Sequence, residues 1–314
     1  MNDGRVVVVG TQWRMRSGEL AYVTRCVAAA ASRWTPVSVL VPGPGPGKAD
    51  GAFDLQGMGE DGASEWVAGL SNDCIVIVDE LTPHLAALLA GAGTRARFYI
   101  SPGIQAPDAS WRRLPLVAHQ AARPFVHAFI PVNPLAQAHR HNGFGFTNYI
   151  LVLSGRRGVH DDPPPAVAWL TAAFHDAHVV VVEQAVASAW RGRSLRGSVS
   201  VDSRMDLWRL LAHANTCIDL APGASVAREC LEAMRFGTPI VVPQDSGPAV
   251  VHATSGGGAV FGDPEALLQA VATTQSDDNR AEKSLLARRY ADGNYGDPSK
   301  FTESLRGVLT GATG

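Results

Sequence analysis

The chain predicts an α/β protein made of two doubly wound, Rossmann-like domains facing each other across a cleft. Three observations predict it. Short β-branched runs recur along the chain, helical segments alternate with them, and the rhythm starts afresh about halfway through the 314 residues. That length suffices for two domains with separate cores, and an apolar share of 46% is that of a globular protein.

In the first half, "RVVVV" at 5–9 reads as a strand covered on both faces, as parallel strands are. A helix follows within 17–34. Ser17 is its cap, and Leu20, Val23, Val27 and Ala31 share one face. "VSVLV" at 37–41 is the next strand. The "PGPGPG" stretch from Pro42 is a surface loop, because each proline fixes φ and lacks an N–H. "CIVIV" at 74–78 is a strand, and "HLAALLAGAG" is a helix stopped by glycine. "ARFYI" at 96–100 and "VHAFI" at 126–130 complete this half. A turn-rich stretch, 133–146, marks a hinge. The second half brings strands at 148–155, 178–182, 198–201, 217–220 and 239–243, with helical segments between them. The final segment reads as two helices broken near 293–298. The expected division is 1–140 for an acceptor-side domain, 141–285 for a donor domain, and 286–314 for helices returning to the first domain.

Several functions are disfavoured at once. No apolar run is long enough to cross a bilayer, and "MNDGRVVVVG" enters a strand without a signal peptide, so a cytoplasmic location is expected, with peripheral membrane association left open. A net charge of −2 gives no global pull toward nucleic acid. The basic-aromatic pieces "SWRRLP" at 110–115 and "AWRGRSLRG" at 189–197 therefore read as exposed loop arginines rather than a grip on a polyanion. Cys26, Cys74, Cys217 and Cys230 each lie in an apolar segment without ligand spacing, so they read as reduced core thiols. His139 and His141 lack a nearby carboxylate or cysteine at ligand spacing, and no metal site is expected.

In doubly wound domains ligands bind outside the carboxyl ends of the strands. Gly18, at the start of the first helix, would let a phosphate approach free backbone N–H groups, or it only shapes a turn. Asp79 and Glu80 follow the 74–78 strand and are candidate acceptors or bases, or helix-start carboxylates favoured by the dipole. Arg156 and Arg157 follow the 148–155 strand; two guanidiniums can clamp a diphosphate, or be solvated loop charges. Gly223 and Ser225 precede the helix that opens at Val226, a second anion site by the dipole argument. Glu232 lies two turns into that helix. It either pairs with Arg228 or Arg235 on a solvated face, or accepts hydroxyl hydrogen bonds from a ribose.

The stretch "CLEAMRFGTPIVVPQDSGPAVVHATSGGGAVFGDPEALLQAV" at 230–271 resembles the donor domain of GT-B-fold glycosyltransferases, in particular the retaining, nucleotide-sugar-dependent group similar to glycogen synthase (family four). It carries Glu-Ala-Met, a Gly-x-Pro turn, a buried strand, a small-residue loop and an acidic-Pro turn in that order. The resemblance implies transfer of a sugar from a nucleotide-sugar to an acceptor, with retention and with no cofactor or obligatory metal. The acceptor class stays open among small molecule, glycan, lipid and, with least support, DNA. It implies that Glu232 holds the ribose, that Arg156 contacts the donor diphosphate, that Gly223 to Val226 lie beside the phosphates and sugar, and that Val201 lies near the base. Asp79, Glu80 and Arg156 are the candidate catalytic residues.

The chain departs from the group's pattern in three places. Ala224 stands where an earlier glutamate is common, no lysine lies between Lys48 and Lys283 to back the diphosphate arginine, and Ser101 stands where a histidine often follows a strand. These departures keep an alternative in view: a catalytically degenerate GT-B-like binding or partner protein.

Overall fold

The computed structural model describes residues 5–10, 19–42, 54–58, 67, 70, 72–79, 81–100, 108–114, 116–117, 126–127, 130, 132–138, 143–156, 165–184, 190–194, 197–201, 203–220, 228–275 and 277–311. The chain divides into two compact units, 1–129 with 298–314, and 130–297.

The first unit begins β1 (Val6–Val9), α1 (Glu19–Ala31), β2 (Val37–Pro42), β3 (Asp54–Met58), β4 (Ile75–Val78), α2 (Pro83–Ala90), β5 (Ala96–Tyr99), β6 (Trp111–Arg113), β7 (Leu116–Val117) and β8 (Val126–His127). A six-stranded sheet runs β3-β2-β1-β4-β5-β6, with every neighbouring pair parallel. The valine runs make sense in that setting. Alternate residues of β1 feed opposite faces: Val6 and Val8 pack with Val27, Ala28 and Ala31 of α1, while Val7 and Val9 share the other core with Leu85 and Leu89 of α2. Both faces are covered, so alternation in polarity gives way to a continuous apolar run. Thr82 caps α2, its hydroxyl accepting from the Leu85 N–H at 3.2 Å, with Pro83 at the first turn.

Two expectations change here. "SWRRLP" is not a loop: Trp111 to Arg113 form the edge strand β6, with Trp111 buried and both arginines exposed. Of the strand expected at 126–130, Val126 and His127 form β8, paired with β7 outside the main sheet, Ile130 is not in a strand, and residues 128 and 129 lie outside the described set.

The second unit continues with α3 (Leu135–Ala138), β9 (Tyr149–Arg156), α4 (Pro165–Ala173), β10 (His178–Gln184), β11 (Trp190–Ser194), β12 (Gly197–Val201), α5 (Arg204–His213), β13 (Thr216–Asp219), α6 (Arg228–Phe236), β14 (Ile240–Pro243), α7 (Pro248–Ser255), β15 (Ala259–Phe261), α8 (Pro264–Gln275) and α9 (Asp277–Tyr295). Its sheet runs β12-β11-β10-β9-β13-β14-β15. The five strands from β10 to β15 in that order are parallel, and β11 and β12 add an antiparallel pair at one edge. The arginine-rich "AWRGRSLRG" stretch is therefore largely sheet rather than loop.

The Gly-Thr-Pro turn between α6 and β14 is built from local chemistry. Gly237 sits at φ +89°, in the left-handed region glycine enters without a Cβ penalty. The Thr238 N–H donates to the Ala233 carbonyl at 2.9 Å, and its hydroxyl donates to the Leu211 carbonyl at 2.6 Å. Pro239 then leads into β14.

Tyr149, at the start of the central strand β9, is fully buried, and its hydroxyl donates to the Leu210 carbonyl of α5 at 2.6 Å. Tyr149→Phe removes one buried hydrogen bond between sheet and helix. It is expected to cost about 1 kcal/mol, or roughly 2–4 °C in unfolding temperature, read by circular dichroism. An unchanged temperature would mean that this bond does not tie α5 to the sheet.

The last helix, α10 (Pro298–Gly311), follows a break at Gly296 and Asp297 and belongs to the first unit. Phe301, Leu305 and Leu309 fall one turn apart, and all three are buried in the core shared by α1 and β1. The first unit's core is thus completed by the end of the chain.

Candidate functional site

Strand order locates the crevice of each sheet. In the first sheet the chain leaves β1 for β2 on one side and later places β4 on the other, so the order reverses between β1 and β4. Gly18 and Glu80, which follow these two strands, lie outside the described residues. Asp79 is described. It directly follows β4, its N–H donates to the Val9 carbonyl at 3.0 Å, and it is 0% exposed.

In the second sheet the reversal falls between β9 and β13. Arg156 is the last residue of β9, with its side chain outside the described set; Arg157 lies outside it altogether. So do Gly223, Ala224, Ser225 and Val226, which join β13 to α6. Val201 is the last residue of β12 and is buried. The sheet thus brings the strand ends at Arg156 and Asp219 to one edge.

Glu232 is not on a solvated face. Helix α6 is covered nearly all round, from Glu229 through Met234, and Glu232 itself is 0% exposed. Its Oε1 accepts from two guanidiniums: Arg228 Nε, one turn earlier, at 3.0 Å, and Arg204 Nη2 at 2.5 Å. Arg204 is the first residue of α5, and its Nη1 also reaches Glu229 Oε1 at 3.3 Å. Arg204 and Arg228 are themselves only 11% and 8% exposed at their side chains. Among the described residues, Arg204 and Arg228 pair with Glu229 and Glu232, two cations against two anions. The other oxygen, Glu232 Oε2, is buried with no hydrogen-bond partner among the described residues. An ionised carboxylate offers about four acceptor positions, and a bare buried acceptor costs roughly 1–3 kcal/mol or more.

Arg235, the other pairing partner foreseen for Glu232, turns elsewhere. It donates to Asp292 at 2.9 Å and to the Ile130 carbonyl. Arg204 is the site residue that sequence reasoning missed. The signal available was a basic side chain in the first turn of a helix, where the macrodipole disfavours it; Arg228 carries the same signal.

Beneath the cluster, Cys230 meets Cys217 of β13. A hydrogen bond with Cys217, then burial, then the carboxylates of Asp219 and Glu229 hold the Cys230 thiol well above its usual range. It is a neutral core group, and all four cysteines are free thiols. Among the described residues no group of three or more His, Cys, Asp and Glu side chains is placed to hold a metal ion. No described helix is long and apolar enough to cross a membrane.

No protein-family model matches the chain, and no curated protein matches it in sequence. Solved structures do match over its whole length. HepE from Anabaena, in complex with UDP and glucose, aligns with a TM-score of 0.63 at 13% identity, covering 98% of this chain and 100% of that one. WaaG, a glycosyltransferase involved in lipopolysaccharide biosynthesis, aligns with a TM-score of 0.58 at 18% identity, with the same coverage. Sucrose-phosphate synthase from Thermosynechococcus elongatus gives 0.56 at 12%, covering 98% of each chain. The likeness is one of fold: two Rossmann-like units, the GT-B architecture that the 230–271 stretch implied.

Proposed function

We propose that the protein is a glycosyltransferase that moves a sugar from a nucleotide-sugar donor to an acceptor hydroxyl, with the donor nucleotide held by the second unit. One observation carries the reading. Glu232, on the helix that follows the crevice strand β13, keeps one carboxylate oxygen bare in a buried setting, and a ribose hydroxyl is the neutral donor that would satisfy it. The GT-B fold supports it, as does the presence of UDP and glucose in the HepE structure.

In this reading the bond from the sugar's anomeric carbon to the diphosphate breaks, and a bond to the acceptor oxygen forms on the same face, with retention. The acceptor proton passes to the departing diphosphate. No side chain acts as a strong base. Catalysis rests on positioning the acceptor and on stabilising the charge left on the diphosphate. Arg156, Arg157 and the N-terminal end of α6 supply that stabilisation without a metal. Asp79 and Glu80, in the first unit, are the candidates for orienting the acceptor, whose class is a small molecule, glycan, lipid or DNA.

Calorimetric titration with UDP, GDP, ADP and dTDP tests the reading. One of them is expected to bind saturably, and Glu232→Gln to weaken it by about tenfold or more, some 1.4 kcal/mol. Absence of binding by any of the four at millimolar concentration would overturn it.

A further inference from the structure

We infer that Arg204 is a positioning residue for nucleotide recognition: by holding Glu232 Oε1, it fixes Oε2 as the acceptor that reads a ribose hydroxyl. The inference rests on the donor reading above and adds a residue and a substrate discrimination to it.

The geometry is one-sided. Both guanidiniums that reach Glu232 bind the same oxygen, Oε1, and Oε2 makes no hydrogen bond among the described residues. A pair serving stability alone would gain by using both oxygens, since a guanidinium fork and a carboxylate match two bonds to two. Here the Arg204 fork is instead spread over two carboxylates, Nη1 on Glu229 and Nη2 on Glu232. Only a planar group with several fixed donors can do this; a lysine ammonium could not hold both at the same angles. The carboxyl plane of Glu232 is thereby set from α5 as well as from its own helix.

The charge balance selects the ligand. Arg204 and Arg228 stand against Glu229 and Glu232, so these four described side chains carry no net charge with which to draw in a cation. A neutral O–H donor is what the bare oxygen calls for, and a ribose brings two adjacent ones. Glu232 is fully covered, so a hydroxyl reaches Oε2 only as the atoms over it move aside.

The readout is discrimination between ribose and deoxyribose, which a merely structural role would leave unmoved. Calorimetry is run with UDP, GDP and ADP and with the 2′-deoxy and 3′-deoxy counterparts of whichever binds tightest. The wild type is expected to bind at least one deoxy form about tenfold or more weakly, the effect of losing a hydrogen bond to a charged acceptor. Arg204→Met is expected to weaken the ribonucleotide by about tenfold while moving the deoxy form less than about threefold, so that the ratio collapses toward one. Should Arg204→Met not fold, Arg204→Lys carries the test, with the ratio expected to fall at least about threefold.

A ratio that survives in either folded variant, or a wild type that does not discriminate, overturns this inference and leaves the donor reading standing. Absence of nucleotide binding at millimolar concentration overturns the donor reading, and this inference with it.

Discussion

Gly258→Ala is expected to destabilise the second unit by about 3 kcal/mol or more, the upper range for an overpacked core. In a unit of this size that is roughly 6–12 °C of unfolding temperature. Gly256, Gly257 and Gly258 join α7 to β15. A Cβ on Gly258 would stand 2.1 Å from the Ile240 carbonyl oxygen and 3.2 Å from that of Ala253. Ile240 is a fully buried residue of β14, in register with Cys217 of β13. Its carbonyl cannot retreat without parting two central strands. Gly256 is a different case. Its Cβ would come within 2.0 Å of the Met234 Cε, the mobile end of an adaptable side chain. Gly257, at φ +71° and 2.9 Å from the Leu286 Cβ, falls between the two. Thermal unfolding should therefore rank the alanine variants Gly258, Gly257, Gly256 from most to least harmful. A Gly258→Ala protein melting within about 2 °C of the wild type would mean that β14 and β15 can separate here.

The stretch before this loop was legible in the sequence. The Gly-Thr-Pro turn and the buried strand after it could be read because each depends on local chemistry, a left-handed glycine and a continuous apolar run, whereas the small-residue loop entered only with the resemblance to GT-B donor domains. The central strands β1, β4, β9, β10, β13 and β14 were legible for a related reason. Strands covered on both faces must be apolar throughout. The strands that escaped notice lack that signature. β3 (DLQGM) and β15 (AVF) are edge strands, β6 (WRR) shows two arginines to solvent, and β11 (WRGRS) is arginine-rich with a glycine at its centre. Pairing with neighbours distant in sequence makes these segments strands, and no local pattern announces it.

The site was half legible. Glu232 stood out as a carboxylate inside an apolar helical pattern. Its surroundings could not be read, because RECLEAMRF looks amphipathic and yet is buried on almost every side, against α5, α9 and the sheet. Tertiary packing overrides the pattern, and it turns a foreseen surface pair with Arg228 into a buried one. Arg204 precedes Glu232 by 28 residues and sits on another helix. Only the fold brings the two together.

Breaking that buried pair should give the second large effect. Glu232→Ala removes the carboxylate shared by two guanidiniums and is expected to cost about 3–5 kcal/mol, the range for removing one member of a buried ion pair. Arg204→Met should cost somewhat less, because Arg228 still holds Oε1. The double variant should be less harmful than the sum of the two by about 2 kcal/mol, the coupling expected of groups in direct contact. Chemical denaturation of the four proteins closes the cycle. Costs that add to within about 0.5 kcal/mol would mean that the contact is energetically empty. Burial should also make the coupling indifferent to added salt, unlike that of an exposed pair. The cluster's bare oxygen links stability to function in the same experiment. A nucleotide present at 100 times its dissociation constant should add about 2.7 kcal/mol to the wild type. A variant that binds it tenfold more weakly should gain only about 1.4 kcal/mol at that concentration. Glu232→Ala should therefore lose stability twice, once from the ion pair and again from the ligand. A cluster that served packing alone would show only the first loss.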